Sequence, residues 1–458
     1  MKRIFLLLTF AVTFSAYIPE GYAQTGDLEP LSLKQALIRG LDRNYDIRIE
    51  RKNIATATNN NNWGQAGRYP SVNLTVGQNN SYTDNVKVAF PTATQGQTSV
   101  SSVQPGINVN WNIFQGFRAN ISKKRLESLQ AESEGNAEVV IQNNVQSIIL
   151  GYYLAVLERE RLTQFEKQLQ YSKDRYEFEK VRVEIGSSTT PDLLLEEGNM
   201  LTDSINVINQ RTTYLNSVRN LNFLMGEPDI SKGYELTDGL DEQGDVGSLE
   251  QSLAQLDQNA DLKTIYLSQA VLDYNKQNAR AERYPTLSLN AGFTDNRQNL
   301  NLSNARFFTG DGFATGPDDP LSSVTDTYFA NFTLTFNLFD GDRINRAIRN
   351  AVIQEDIGNI RIERLRSSLT RDVQNAHQVY TDRKQLLVIN EQRENSASRN
   401  LEISLERLKG GTINSFDYRV IQNNYLQSST QKLQALYNLI DTKITILRLT
   451  GGLMDAYL

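Results

Sequence analysis

One short motif occurs twice in this sequence. Trp111–Gly116 reads Trp-Asn-Ile-Phe-Gln-Gly, and Phe336–Gly341 reads Phe-Asn-Leu-Phe-Asp-Gly. Further matches keep the same order on both sides of the motif: Arg68 with Arg283, Tyr69 with Tyr284, Pro70 with Pro285, Arg182 with Arg407, Gly186 with Gly411, Asp192 with Asp417, and Gly226 with Gly451. Because they run through segments of different predicted structure, a whole structural unit is duplicated. We predict a first copy at residues 24–247 and a second at 248–458.

Each copy is predicted to contain a helix ending at Tyr-Pro and then two β-strands. Apolar and polar residues alternate at about 71–79 and 104–114, and again at about 285–294 and 327–339. This alternation fits a half-buried soluble sheet as well as a membrane barrel with one face toward lipid. Aromatic residues near the strand ends favour the barrel, since such residues gather at membrane interfaces: Tyr69, Trp111, Phe114, Tyr284, Phe336 and Phe339.

A long helical hairpin follows each pair of strands, predicted at 117–226 and 341–450. The first helix of each hairpin runs for roughly 65 residues without proline, or about 100 Å at 1.5 Å per residue. In the first copy, apolar residues recur at spacings typical of a coiled-coil seam: Val145, Ile149, Tyr152, Val156, Leu162, Phe165 and Leu169. Turns at Gly186 and at Gly410-Gly411 separate the two helices of each hairpin.

The N-terminal residues have the pattern of a secretory signal peptide at residues 1–23. Lys2 and Arg3 precede an apolar run, and Gly21-Tyr22-Ala23 forms a small-x-Ala cleavage site. No later segment is expected to cross a membrane as a helix, so any membrane span is predicted to consist of strands. Cysteine is absent, which excludes disulfides, thiolate metal sites and a lipid on an N-terminal cysteine. The formal net charge of −6 disfavours nucleic acid as a partner.

Four strands are too few to close a barrel, and an open edge facing lipid leaves backbone groups unpaired. Bacterial membrane barrels begin at about eight strands, so several chains are predicted to share one barrel. Twelve strands from three chains is the simplest arrangement that leaves an open lumen. Two or four chains remain open alternatives.

The order, spacing and duplication of these motifs resemble the TolC-type outer membrane efflux proteins over essentially the whole mature chain. The resemblance implies an α+β membrane protein: a homotrimer with a shared twelve-strand transmembrane β-barrel, continued by a long periplasmic α-helical barrel. It also implies a passive exit duct with a gated periplasmic end, exporting small molecules with a periplasmic adaptor protein and an inner-membrane transporter. Alternatives are a duct for type I protein secretion and, from another class, a periplasmic coiled-coil scaffold.

Two aspartates follow the equivalent turns, at Asp192 and Asp417. They either form a ring of carboxylates that attracts cations at the mouth or cap the helices that follow. The resemblance favours a gate at these positions. The arginine that the family uses near the second turn is Ile413 here, so the candidates to hold the mouth shut instead are helix packing or the pair Tyr418 and Arg419.

The turns themselves are predicted, by the resemblance, to form the rim that docks the adaptor: Gly186, Ser187, Ser188, Thr189, Gly410, Gly411 and Thr412. An enzyme is not expected. The single histidine, His377, has no nucleophile or metal ligand at useful spacing, and the loop Gly310–Gly316 lacks the spacing of a phosphate-binding loop. We therefore predict no cofactor and no metal.

Overall fold

The computed structural model describes residues 28–85, 94–241, 246–308 and 311–457, and the predicted signal peptide lies outside these residues. Elements of the first copy are β1 (Glu29–Leu31), α1 (Leu33–Arg43), α2 (Tyr45–Asn60), β2 (Ser71–Asn85), β3 (Thr94–Gln115), α3 (Arg118–Glu184), α4 (Thr190–Met225) and β4 (Tyr234–Leu236). Elements of the second are α5 (Leu249–Ala254), a 3₁₀ turn (Leu256–Gln258), α6 (Ala260–Ala281), β5 (Thr286–Asn301), β6 (Ala305–Phe308), β7 (Phe313–Thr315), β8 (Leu321–Thr335), α7 (Arg343–Lys409), α8 (Ser415–Leu449) and α9 (Leu453–Tyr457).

The two copies begin with the same capping box. The Ser32 hydroxyl accepts the Gln35 N–H at 3.3 Å, and the Gln35 side chain accepts the Ser32 N–H at 3.1 Å. Ser248 and Gln251 repeat this exchange at 3.2 and 3.0 Å at the start of α5. The repeated Ser-Leu-x-Gln sequence therefore fixes equivalent helix starts.

Four long strands form one antiparallel sheet in the order β2-β3-β5-β8, and the short β6-β7 hairpin extends it beside the start of β3. The strands continue past the predicted ranges at the end away from the helices, because backbone pairing persists where the apolar alternation stops. At the other end, β8 stops at Thr335. Phe336 and Phe339 therefore lie in the junction between β8 and α7 rather than within the strand.

The strand register places the apolar residues of all four strands on one face. Val109 lies opposite Val72 and Ala291, and Ala291 lies opposite Ala330. The other face is polar, as the 2.7 Å hydrogen bond from the Asn290 amide to Asn110 shows. This separation of the two faces is what a strand with one side toward lipid requires.

One detail of β3 differs from the alternation expected from sequence. Trp111 lies opposite Leu289, but the register shifts between Asn112 and Phe114, so that Phe114 lies opposite Leu287. A β-bulge at Ile113 therefore puts Phe114, rather than Ile113, in line with the apolar face. An inserted residue of this kind reverses the faces of all residues that follow it.

Each strand-to-helix junction contains two successive residues in the left-handed conformation. Gly116 and Phe117 have φ values of 60° and 65°, and Gly341 and Asp342 have 66° and 63°. Glycine is required at Gly116, since an added Cβ there would lie 2.5 Å from the Tyr284 Cβ, whereas an added Cβ at Gly341 would have no neighbour within 4 Å. The repeated motif thus produces the same sharp turn from strand to helix in both copies.

The helical hairpins have closely similar dimensions. Both α3 and α7 contain 67 residues, and the returning helices α4 and α8 contain 36 and 35. Contrary to our expectation, α3 includes an 18-residue stretch that is apolar enough to cross a membrane, with 44% of it buried within the chain. A core helix passes the same composition test, and α3 supplies Val145, Ile149 and Tyr152 to the main apolar cluster.

This cluster lies where α3 and α8 meet α1 and the two-stranded parallel sheet of β1 and β4. The fully buried Tyr152 hydroxyl lies 2.8 Å from the Leu31 carbonyl oxygen and 2.7 Å from the Asp238 carboxylate. The Asp238 carboxylate also accepts the Leu33 N–H at 2.7 Å. One tyrosine therefore connects the long helix to the chain start and to the segment that joins the two copies.

We expect Tyr152→Phe to lower the free energy of unfolding by about 1–2 kcal/mol, because the substitution leaves buried acceptors without a donor. Burial raises the pKa of Tyr152, so the neutral hydroxyl stabilises the fold at every pH below the ordinary tyrosine pKa. That contribution decreases as the pH rises above about 10. Chemical denaturation at pH 8 and pH 11 measures both effects, with the half-buried neighbour Tyr153→Phe as the control. An equal loss in both variants would contradict the role of Tyr152.

Candidate functional site at the tips of the helical hairpins

The two turns at the hairpin tips close in the same way. In the first, the Ser187 N–H donates to the Arg182 carbonyl at 2.8 Å, and in the second the Thr412 N–H donates to the Arg407 carbonyl at 2.9 Å. The glycine at each turn, Gly186 or Gly411, has a φ of 74° or 69°. All seven residues predicted for the adaptor rim lie in or beside these turns, and their role in docking stays a prediction.

Asp192 takes part in a capping box at the start of α4. Its carboxylate accepts the Thr189 hydroxyl at 2.6 Å, and the Thr189 N–H and the Ser188 hydroxyl each lie 3.4 Å from it. The hydrogen bond from the Thr189 side chain is the main cause that lowers the pKa of Asp192. The carboxylate is therefore ionised and held at the helix N-terminus, where negative charge is favourable.

Asp417 is held differently from Asp192. Its backbone N–H donates to the Asn414 side-chain oxygen at 2.8 Å, so that an amide rather than a carboxylate caps α8. Capping thus accounts for Asp192 more completely than for Asp417. A ring of carboxylates at the mouth stays a prediction.

Arg419 makes a buried bidentate ion pair with Asp203. Its two terminal nitrogens lie 2.6 and 2.7 Å from the two Asp203 carboxylate oxygens. The Asp203 side chain is only 3% exposed, and it also accepts the Ser172 hydroxyl. Because Arg419 belongs to α8, Asp203 to α4 and Ser172 to α3, this contact joins the two hairpins of one chain.

Arg175 makes a second connection nearer the tips. It pairs with the Glu196 carboxylate at 2.8 Å, where the two side chains are 12% and 7% exposed. It also donates to the Ser415 hydroxyl and lies 5.9 Å from the centre of the Tyr418 ring. Tyr418 is 3% exposed, and burial raises its pKa. We call Arg419, Asp203, Arg175 and Glu196 the hairpin latch.

The sequence pointed to Tyr418 and Arg419 but missed their partners. We predicted that the seam of α3 would continue through Leu162, Phe165 and Leu169, which are only partly buried. The buried positions instead include three polar residues, Gln168, Ser172 and Glu179. The seam is therefore polar in the part of α3 nearest the tip. The spacing of these polar side chains, four and then seven residues, is the signal that could have found it.

Glu179 fixes the first turn from within this polar seam. The residue is 1% exposed, its carboxylate lies 3.2 Å from the Arg182 guanidinium, and it accepts the Ser188 hydroxyl. A buried carboxylate is stable only when it is paired in this way. The first turn is thus bound to its helix by side chains as well as by backbone.

The aromatic residues proposed for the membrane interface lie near the strand-to-helix junctions. Phe114 packs edge-on against Phe117 at 5.4 Å, and Phe117 packs against Tyr284 at 6.2 Å. The Trp111 indole donates to the Arg68 carbonyl at 3.0 Å. Other members stay open to solvent in the single chain, with relative exposures of 63% for Tyr69, 56% for Phe336 and 89% for Phe339. Phe117 is not distinguished by the sequence pattern.

His377 and the glycine-rich loop, which were considered for catalysis and phosphate binding, are not part of the latch. A His377 ring nitrogen is 2.8 Å from the Ser252 hydroxyl, in a helix-packing contact between α7 and α5. Within the glycine-rich loop, residues Phe313–Thr315 form β7. Among the described residues, no three histidine, cysteine, aspartate or glutamate side chains are grouped closely enough to hold a metal ion.

The fold is shared with solved outer membrane channels. The CmeC channel of Campylobacter jejuni is 15% identical, with a TM-score of 0.71 over 92% of this chain and 86% of that one. The open-state MtrE channel of Neisseria gonorrhoeae is also 15% identical, with a TM-score of 0.67 over 92% and 89%. VceC of Vibrio cholerae is 14% identical, with a TM-score of 0.66 over 92% and 96%. No curated protein matches the sequence.

The family comparison agrees with the duplication. The model of the outer membrane efflux protein family matches residues 37–227 and again residues 253–452, one segment in each copy. The protein is thus located in the outer membrane and extends into the periplasm, and its relatives are channels rather than enzymes. The chain belongs to the TolC-type outer membrane efflux protein family.

Proposed function

We propose that the protein is the outer membrane exit duct of a tripartite efflux system, a passive trimeric channel with a gated periplasmic end and no catalytic role. The observation that supports assembly from several chains is the pair of open sheet edges. In the described part of the sheet, β2 pairs only with β3, and β8 pairs only with β5. Edges of 15 residues each need partners in a membrane, and a second copy of the chain offers them.

The strand directions permit this closure. The four strands alternate in direction, so β8 of one subunit would run antiparallel to β2 of the neighbouring subunit. The duplication also sets the register: within one chain, Val109 of β3 lies opposite Ala291 of β5. In the other repeat, the residue equivalent to Val109 is Leu334, and the residue equivalent to Ala291 is Val76. We therefore place Leu334 of one subunit opposite Val76 of its neighbour.

Exposed apolar residues on the helices support the same assembly. On α4 they recur at spacings of three, four and seven: Leu194, Leu201, Ile205, Ile208 and Leu215. On α7 the corresponding set is Val379, Leu386, Ile389 and Ile403. Within the chain α3 packs between α4 and α8. The equivalent contact between subunits joins α7 of one subunit to α4 of its neighbour. Both exposed apolar seams are buried in that contact.

The polar face of the sheet would line the lumen. It carries amides and hydroxyls, as in Asn73, Thr75, Asn108, Asn110, Ser288, Asn290 and Thr333. A wide lumen with neutral polar walls selects weakly among solutes. The choice of exported small molecule then belongs to the inner-membrane transporter.

The hairpin latch is the candidate gate. Its Arg419–Asp203 ion pair joins the α7–α8 hairpin to the α3–α4 hairpin. Arg175 pairs with Glu196 within the α3–α4 hairpin and reaches α8 by donating to the Ser415 hydroxyl. An opening of the periplasmic end requires these hairpins to separate. A periplasmic adaptor that makes more contacts with the separated hairpins than with the closed ones would favour the separated arrangement when it binds at the rim. The rim and the latch lie on the same helices, so docking and opening are coupled mechanically.

Cysteine cross-linking tests the assembly, because the natural sequence contains no cysteine. We expect Val76→Cys combined with Leu334→Cys to give covalent trimers as the largest species on a non-reducing gel. The control combines Val72→Cys with Leu334→Cys, which moves one thiol about 13 Å along the strand. Efficient trimer formation by the control, or dimers or tetramers as the largest species, would contradict the proposed closure.

Single-channel recording tests the latch. Asp203→Ala leaves Arg419 without its partner, which costs the closed state about 3 kcal/mol, so the open probability should rise. Glu166→Ala is the matched control, since its pair with Arg211 is exposed and worth about 0–1 kcal/mol. If both variants conduct like the wild type, the latch is not the gate.

The same recordings test the acidic mouth. We expect Asp192→Asn with Asp417→Asn to reduce the preference for cations over anions, because neutral amides no longer attract cations. Capping by Thr189 and Asn414 can persist in this double variant. Unchanged ion selectivity would assign both aspartates to capping alone.

A further inference from the structure

The two strand-to-helix junctions enclose equivalent cavities with different chemistry. The cavity of the first copy has a volume of about 300 Å³, and Arg68, Arg118, Trp111 and Phe114 are among its lining residues. The cavity of the second copy has a volume of about 240 Å³ and is lined by Arg283, Phe339, Asp340 and Asp342, among others. Arg68 and Arg283 are matched residues, so the two cavities occupy equivalent positions in the duplicated unit.

In the second copy, a carboxylate of the chain occupies the anion position. The Asp340 oxygens accept the N–H groups of Arg343 and Ile344 at 3.1 and 2.9 Å. These are the first two N–H groups of α7, which have no partner within the helix. The second cavity therefore shows where an anion binds at this junction and which groups hold it.

In the first copy, the residue equivalent to Asp340 is Gln115, which carries no charge. The equivalent N–H groups belong to Arg118 and Ala119, and the side chain of the N-cap residue of α3, Phe117, does not cap them. Arg118 pairs with Glu282 at 2.8 Å, so it is partly neutralised. Arg68 is exposed and stacks at 4.6 Å over the Trp63 ring, and among the described residues no carboxylate forms an ion pair with it.

The position of the first cavity identifies the anion. Trp111 and Phe114 belong to the apolar face of the sheet, opposite Leu289 and Leu287. The cavity lies at the end of that face where the strands meet the helices, which is the boundary between membrane and periplasm. Phospholipid phosphates lie at this level, with their acyl chains beside the apolar face.

We propose that the first-copy cavity binds the phosphate of a phospholipid headgroup. Arg68 supplies the charge, and the open N–H groups at the start of α3 supply directed hydrogen bonds. The second-copy cavity does not bind it, because Asp340 already fills the equivalent position and repels a second anion. The inference rests on the outer-membrane location and is independent of the latch.

Native mass spectrometry of the detergent-solubilised full-length oligomer, titrated with phosphatidylglycerol, tests the site. We expect one tightly held lipid per chain in the wild type. Arg68→Gln and Gln115→Asp should each weaken binding by roughly tenfold, the loss expected when a charge-assisted contact is removed. Gln115→Asp copies the natural cap of the second unit, so it should fold normally. Arg283→Gln is the matched control and should bind like the wild type.

Two outcomes would overturn the proposal. One is equal lipid retention by the wild type, Arg68→Gln and Gln115→Asp. The other is equal loss in Arg283→Gln, which would make the effect one of general surface charge. Titration with inorganic phosphate in place of lipid distinguishes the source of the anion. Binding of inorganic phosphate as tight as that of phosphatidylglycerol would assign the cavity to a free anion and remove the role of the membrane.

Discussion

A backbone N–H or C=O group that faces lipid without a partner costs several kcal/mol, and the rest of this structure depends on that cost. The chain supplies four paired strands and leaves two edges open. Its two units therefore act as parts of a larger ring. Apolar residues also remain exposed on α4 and α7 in the single chain, and the proposed assembly would cover them.

Duplication gives this protein two copies of every backbone feature, but the side chains at equivalent positions have diverged. Arg419 and Asp203 form a buried ion pair within the chain, whereas the matching positions are Leu194 and Ser428. The contact between the two hairpins of one subunit is thus ionic at positions where the duplicated unit has an apolar residue and a hydroxyl.

The same divergence separates the two strand-to-helix junctions. Both have the left-handed pair of residues that turns the chain into a helix. One junction carries its own anion at Asp340, and the other has the neutral Gln115. The backbone turn is the same in both junctions, while the charge at the position of Asp340 and Gln115 differs. Each copy consequently serves as a physical control for the other.

The sequence by itself determined the four long strands, the long helices and their order, because period-two alternation, long proline-free helices and the repeated glycine junction depend on local chain geometry. It also identified the family and drew attention to Tyr418 and Arg419. Only the tertiary structure decided that Asp203 and Glu196 complete the latch, that the seam of α3 is polar near its tip, and that a bulge at Ile113 moves Phe114 to the apolar face. Periodicity shows which side of a helix is buried, but it does not show which distant helix lies opposite. A strand pattern likewise gives no sign of an inserted residue until its partner strand fixes the register.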